Sequence, residues 1–417
     1  MDTVLRSPHQ GGSSAMNQPH SPRVTAERSA VRRLLNAYLR ETGIDDPRPA
    51  PEDPTMRVEL PSSGTILVGR LTYWSTLGHH VYAADWTGQL GPDRTPASLE
   101  HTDLVYLLLD ELAALSPNDA NPSDGQRRRA ELAAQIDNSV KRTAQYLAHG
   151  RSARPPDDEH WALTRYAEQS VLLGHPLHPT PKSAEGFSNL DLAAYAPELG
   201  ASFALHYIAV APELVVQRRV APGSWLPAEV CAEAQRRLEP SHRDYPLLPM
   251  HPWQAKYLLH HESIQRLIAA GAVVSLGALG PMVYPTSSVR TVCDPAFGTA
   301  WKLPLHVRIT NFVRNNPPEH ARRAADASSL ITTLRGDWPK SFTVLVETGY
   351  RTLDHPELSA ELCVLYRENP FAHRAEAPQV LAGLLEEQPD GGEPDLLHYV
   401  RQATQAPEGA LCARRVT

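Results

Sequence analysis

The sequence predicts an α+β chain in which a lobe of mixed helices and strands precedes a lobe built on antiparallel sheet. In the first third, short β-branched and aromatic runs separated by Gly and Ser precede apolar residues at helical spacing, and after residue 195 apolar strand-like runs alternate with helical ones. No repeat with a period of roughly 20–50 residues is visible, which disfavours a solenoid or a propeller. The length, 417 residues, exceeds what one hydrophobic core organises, so two or three packed lobes are expected.

The first 22 residues are polar, lack the apolar stretch of a secretory signal and read as a disordered tail. Residues 24–42 set Val31, Leu34, Leu35, Tyr38 and Leu39 on one face with arginines opposite, which predicts an amphipathic helix. A Pro-rich linker follows, then two or three antiparallel strands within 56–86. Helices are expected over 99–115, 125–147 and 158–173. Beyond them, strands over 203–210, 214–218 and 272–276 alternate with helices over 227–238 and 253–270. Strand-like runs return over 282–313 and 341–346.

Composition excludes several function classes. Hydrophobic residues at 41% and charged residues at 21% are ordinary for a globular chain, so global disorder is excluded. A formal net charge of −7 gives no broad cationic field, which argues against a nucleic-acid partner. The four cysteines form no C-x-x-C pair, and a reducing cytoplasm fits them best. Residues 267–289 carry no charge, but three glycines and two prolines suit turns and buried strands rather than a membrane span.

Two stretches concentrate chemistry. The first, 174–182, reads Gly-His-Pro-Leu-His-Pro-Thr-Pro-Lys. Its three prolines end the preceding helix and stiffen a loop that presents His175, His178 and Lys182, a set suited to gripping phosphate oxygens. A helix-stop loop with solvent-facing His and Lys has the same signature. A zinc site on the two histidines lacks both a helical face and a nearby third ligand, so no metal ligand is assigned.

The second runs from Thr286 to Arg314 and holds Arg290, Lys302, Arg308 and Arg314 against the single acid Asp294. Hydroxyls of Ser287, Ser288, Thr291 and Thr310 stand among these cations, and that mixture suits a polyphosphate. If 302–314 is one extended strand, Lys302, His306, Arg308, Thr310, Phe312 and Arg314 share a basic, hydroxylic face, although an exposed polar strand face alternates in the same way. Neither G-x-x-x-x-G-K-[ST] nor G-x-G-x-x-G occurs, so a nucleotide site here is neither a P-loop nor a dinucleotide-binding βαβ unit. A G-x-S-x-G elbow is absent as well.

Glu168 with the 174–182 loop, Gly186-Phe187-Ser188, Tyr195 to Glu198, His251-Pro252-Trp253-Gln254, 285–291 and 302–314, taken in order and spacing, resemble the NRPS-independent siderophore synthetases of the IucA/IucC type. The resemblance runs from about residue 24 to about residue 403. It implies a thumb-like lobe over 23–155, a fingers-like ATP-binding lobe over 156–346 and the start of a truncated palm-like lobe over 347–417.

It further implies an ATP- and Mg²⁺-dependent ligase that adenylates a carboxyl group of citrate or a related polycarboxylate and condenses it with an amine or alcohol. His178 and Lys182 would lie at the phosphates, with His175 shaping the loop. Ser287, Ser288, Arg290, Thr291 and Lys302 would surround the triphosphate, and Thr310 and Arg314 would sit where phosphate and carboxylates meet. Lys302 and Arg314 are the catalytic candidates, and Arg290 and Lys302 are expected to face a solvent-filled cleft. A homodimer is the association expected of the family. His251 to Gln254 reads as packing at a helix start. Two other readings stand beside the ligase: a catalytically incomplete nucleotide-binding remnant, and a metal-binding or structural module around His175 and His178.

Overall fold

The computed structural model describes residues 21–44, 46–90, 95–114, 122–156, 158–339, 342–369, 372, 378–386 and 396. The tail expected over 1–22 lies outside them except at its end, where Ser21 caps and Pro22 opens the first helix, α1 (Pro22–Thr42). Helix α1 buries the face the spacing predicts, including Leu34, Leu35, Tyr38 and Leu39.

Five strands follow: β1 (Thr55–Leu60), β2 (Thr65–Tyr73), β3 (Val81–Tyr82), β4 (Thr87–Leu90) and β5 (Thr95–Ser98). They pair antiparallel in the order β1-β2-β4-β5, with β3 added to β2. The sheet therefore extends past the expected limit at residue 86. Strand β5 carries Pro96, which only an edge strand accommodates, and that proline is why the sequence does not advertise it. Trp86 lies on Gly69, where an added Cβ would stand 2.6 Å from the indole. Helices α2 (His101–Ala114) and α3 (Pro122–His149) complete this lobe by packing on α1.

Helix α4 (His160–Gln169), strand β6 (Ala184–Glu185) and helix α5 (Asn189–Tyr195) lead into β7 (Phe203–Val210), β8 (Val215–Arg219), α6 (Ala228–Arg237) and β9 (Leu247–Met250). The single helix expected over 253–270 is two, α7 (Pro252–Leu258) and α8 (Glu262–Ala269). His261 Nδ1 accepts the Ser263 N–H, so it caps a new helix instead of continuing the old one.

The chain goes on through β10 (Val273–Pro285), β11 (Thr291–Cys293), β12 (Thr299–Lys302), β13 (Leu305–Ile309), β14 (Phe312–Arg314) and α9 (Pro318–Leu334), then β15 (Glu347–Leu353), β16 (Val364–Glu368) and α10 (Leu381–Leu385). The strand expected over 341–346 begins instead at Glu347. Gly277 and Gly280 adopt positive φ where β10 shifts register against β7, so the uncharged stretch at 267–289 runs from the end of α8 into a bulged, partly buried strand.

Among the described residues eight strands make one antiparallel sheet, ordered β8-β15-β16-β12-β11-β10-β7-β9. Alternate residues of β7 serve opposite faces: Leu205 and Tyr207 join a core with Trp225, Trp301 and Tyr366, whereas Ile208 and Val210 join α7 and α8. The division expected at 346 runs through the middle of this sheet, because β15 and β16 join strands from the fingers-like segment.

The continuous strand expected over 302–314 does not exist. Lys302 closes β12 in the large sheet, Pro304 interrupts the ladder, and β13 turns back into β14 as a hairpin, with Arg314 opposite Leu305. Thr310 makes that turn with φ of 61°. Side chains expected on one strand face therefore come from three separate pieces of backbone.

His251 is fully buried, as packing requires. Its Nδ1 caps α7 by accepting the Trp253 N–H at 3.1 Å, and burial pushes its pKa down to about 3. The folded chain thus holds this ring neutral, while the unfolded chain takes up a proton below about pH 6.5. Stability is complete above that pH and declines as pH falls toward 3. From this group alone the chain should be about 2 kcal/mol less stable at about pH 5 than at about pH 7. His251→Asn keeps a capping side chain without the titration, and urea midpoints across pH should then show a flatter profile. An unchanged slope removes His251 as its source.

Candidate functional site

A cavity of about 1180 Å³ opens between the two chemically rich stretches, and Lys182 and Arg290 both line it. With them stand His175, Ser287, Ser288, Thr291, Lys302, Thr310 and Arg314. His178 is the one sequence-predicted site residue outside its lining.

The 174–182 loop is fixed from within. Gly174 has φ of 74°, and a Cβ there would meet the Lys182 and Pro181 side chains at 3.0 Å, so this turn requires glycine. His175 Nδ1 accepts the Leu177 N–H and His178 Nδ1 accepts the Thr180 N–H, which makes both imidazoles turn acceptors with Nε2–H as the remaining donor. Their ring centroids lie 6.4 Å apart. Among the described residues no group of three or more His, Cys, Asp or Glu could hold a metal. Burial first, then the charge of His175, keeps the His178 pKa below its ordinary value. Lys182 reaches the cavity wall, but its buried ammonium is paired with Glu198.

The 286–291 loop also bonds to itself. Thr286 N–H donates to the Thr291 carbonyl at 2.8 Å, Thr291 N–H to Ser288 Oγ at 3.2 Å, and Val289 takes φ of 68° to make the turn. Glu168, at the end of α4, accepts both the N–H and the hydroxyl of Ser287 at 2.8 Å. Ser287 is therefore an anchor of the loop.

Arg290 does not project freely into solvent as the sequence leads one to expect. Its guanidinium donates to the carbonyls of Arg314 at 2.9 Å and Asn315 at 3.2 Å, and to Asn316 Oδ1 at 2.6 Å, which locks the segment after β14 to the loop before β11. Arg314 folds over its own hairpin, donating to the Ile309 carbonyl at 3.1 Å and to Thr310 Oγ1. Thr180 Oγ1 donates to the Thr310 carbonyl at 3.3 Å and so ties the first stretch to the second.

The cations oppose one another. Burial, then Arg314 and Arg367, push Arg290 down to about 10. Burial, then Arg290 and Arg367, lower Lys302. A cluster held in that state gains from any polyanion that enters it. Arg367 belongs to it, lining the cavity from β16 with one edge bonded to Glu347 at 2.6 Å. Sequence reading missed Arg367, since nothing in Val364–Glu368 sets one arginine apart from an ordinary strand residue.

Removing Arg290 strands two carbonyls and the Asn316 amide, so Arg290→Ala should cost about 2 kcal/mol of stability in urea unfolding. Lys302, whose ammonium forms no ion pair among the described residues, should tolerate Ala with a midpoint close to wild type. Equal midpoints for the two variants would remove the locking role given to Arg290.

Residues 164–386 match the IucA / IucC family. The L-2,3-diaminopropanoate--citrate ligase of Staphylococcus aureus (strain NCTC 8325 / PS 47) is 34% identical over 92% of this chain and 66% of its own length. The N(2)-citryl-N(6)-acetyl-N(6)-hydroxylysine synthase of Escherichia coli is 27% identical over 89% of this chain and 65% of its own length. Among solved structures, ATP-bound aerobactin synthetase IucA from a hypervirulent pathotype of Klebsiella pneumoniae superposes with a TM-score of 0.74 at 26% identity, covering 90% of this chain and 67% of that one. The chain spans about two thirds of the length of these relatives. Through the 164–386 match and an identity of 34% across nearly its whole length, this chain belongs to the IucA/IucC family.

Proposed function

We propose that the chain supplies the nucleotide site of an ATP-dependent ligase that activates a carboxyl group of citrate or a related polycarboxylate and condenses it with an amine or alcohol. The observation that carries this reading is the single cavity where Ser288, Arg290, Lys302, Thr310 and Arg314 meet the 174–182 loop. Two relatives named for joining citrate to an amine, and a similar structure described as ATP-bound, support it.

In the first step a carboxylate oxygen of the acid attacks the α-phosphorus and pyrophosphate leaves. In the second the amine nitrogen or alcohol oxygen attacks the acyl carbon, AMP leaves, and the nucleophile loses its proton. Two anions must approach in line, so the chain's part is to cancel their repulsion and hold them aligned. Lys302 and Arg314 would do this at the reacting centre. Ser288, Arg290 and Thr291 would fix the phosphates, while Ser287 anchors their loop and His175 shapes the facing one. Thr310 and Arg314 would meet the acid.

Lys182, paired with Glu198, would present a partly neutralised wall, and His178, outside the lining, would support the loop from behind. Mg²⁺ would travel on the phosphates; of the lining carboxylates, Glu168 and Glu368 are engaged by Ser287 and Arg335, while Asp158 and Glu159 are exposed. Among the described residues no helix is long and apolar enough to cross a membrane. A cytoplasmic location and a homodimer complete the proposal.

The test is ATP–pyrophosphate exchange across a panel of polycarboxylates. Citrate-dependent exchange is expected, and ATP-independent behaviour with every acid overturns the reading. Arg314→Ala should lower exchange about 100-fold and raise the KM for the acid more than that for ATP. An equal rise for both would withdraw the assignment of Arg314 to the carboxylate.

A further inference from the structure

Helix α4 ends at Gln169, and the next turn aims three consecutive backbone N–H groups, those of Leu172, Leu173 and Gly174, at one point. The carboxylate of Glu386 occupies that point: Oε1 accepts from Leu172 at 2.6 Å and Leu173 at 2.9 Å, and Oε2 accepts from Gly174 at 3.3 Å. Successive amides converging in this way form an anion-binding nest. Glu386 is only 9% exposed, and Arg151 approaches its Oε1 at 3.5 Å.

From the other side Arg33 of α1 donates to the carbonyls of His175 at 3.2 Å and Gly174 at 3.4 Å. A carboxylate thus holds the N–H groups and a guanidinium the C=O groups of the same short turn. Gly174 and His175, the last residues so held, line the cavity. The segment bearing Glu386 lines it too, through Pro378, Gln379, Val380 and Ala382. It lies backbone to backbone on α4 at Gly383, where a Cβ would stand 2.8 Å from the Ala167 carbonyl oxygen.

We propose that Glu386 is a positioning residue for nucleotide binding, one that fixes the start of the 174–182 loop and fastens 378–386 as the adjoining wall of the cavity. The proposal rests on the nucleotide reading given above. Glu386 acts through the backbone of 172–174 and not by touching a phosphate. Losing it leaves the amides of Leu173 and Gly174 without their acceptor and Leu172 with only the Ser170 carbonyl, at 2.9 Å, so the turn relaxes and the wall loses its tie.

Calorimetric titration of the full 417-residue chain with ATP separates this role from simple support of the fold. A fold defect removes competent molecules, which lowers the stoichiometry and leaves Kd unchanged. A misplaced loop keeps the stoichiometry and weakens Kd. Glu386→Ala is expected to raise the Kd for ATP about tenfold at unchanged stoichiometry, the loss of one charge-assisted contact set. Glu386→Gln keeps the shape and one accepting oxygen but turns an NH₂ toward a backbone N–H, so it should fall between Ala and wild type.

Wild-type Kd in both variants, or reduced stoichiometry at wild-type Kd, overturns the positioning role while leaving the nucleotide reading intact. Absence of ATP binding by the wild-type chain overturns that reading, and this proposal with it.

Discussion

The structure depends on holding like charges together. Arg290, Lys302, Arg314 and Arg367 surround one cavity, and each of the first two is pushed below its ordinary pKa by burial and by its cationic neighbours. Such a cluster costs free energy in the empty chain, and local geometry has to offset it. Arg290 meets that demand with three hydrogen bonds to the segment after β14, and Arg367 with an ion pair to Glu347. The same bonds that hold the charges also join separate strands, so receptor and scaffold cannot be altered independently.

The large sheet explains how residues so distant in sequence converge. Strands β10, β11, β12 and β16 are neighbours in it, and they deliver the 286–291 loop, Lys302 and Arg367 to one region. The small sheet of β6, β13 and β14 brings the 310–314 hairpin against them, and its residues Leu305 and Val307 pack into the core of the N-terminal lobe. The cavity accordingly sits where two cores meet. That placement suits a site needing a rigid wall on each side.

Much of this was legible in the sequence because amphipathic period is a direct record of burial. Helix α1, strand β7 and helix α6 fall within a residue or two of their expected limits. Turns inside apolar runs leave no such record. Thr310 and Val289 adopt positive φ without being glycine, so neither the hairpin nor the tight loop before β11 could be read from residue type. The split between α7 and α8 depends on a histidine used as a cap, which single-sequence reasoning assigns to the helix interior.

For the candidate site, two dense clusters of cations and hydroxyls marked stretches that the fold brings to one cavity, but lone contributors stayed hidden. Arg367 and Glu386 each act as one polar residue in an unremarkable segment, and only the fold shows what they face.

The ion pairs divide the cavity electrostatically, and this constrains how a polyanion can lie in it. Lys182 carries its own counter-charge, Glu198, into the wall, whereas Lys302 has no such partner among the described residues. Unpaired positive charge therefore concentrates on the side of Lys302, Arg290 and Arg314, whereas Arg367 beside them carries Glu347 as its counter-charge. A ligand with uneven charge gains most by turning its densest negative group to that side. Orientation thus follows from which cation is already paired, a property that a count of basic residues in the sequence does not contain.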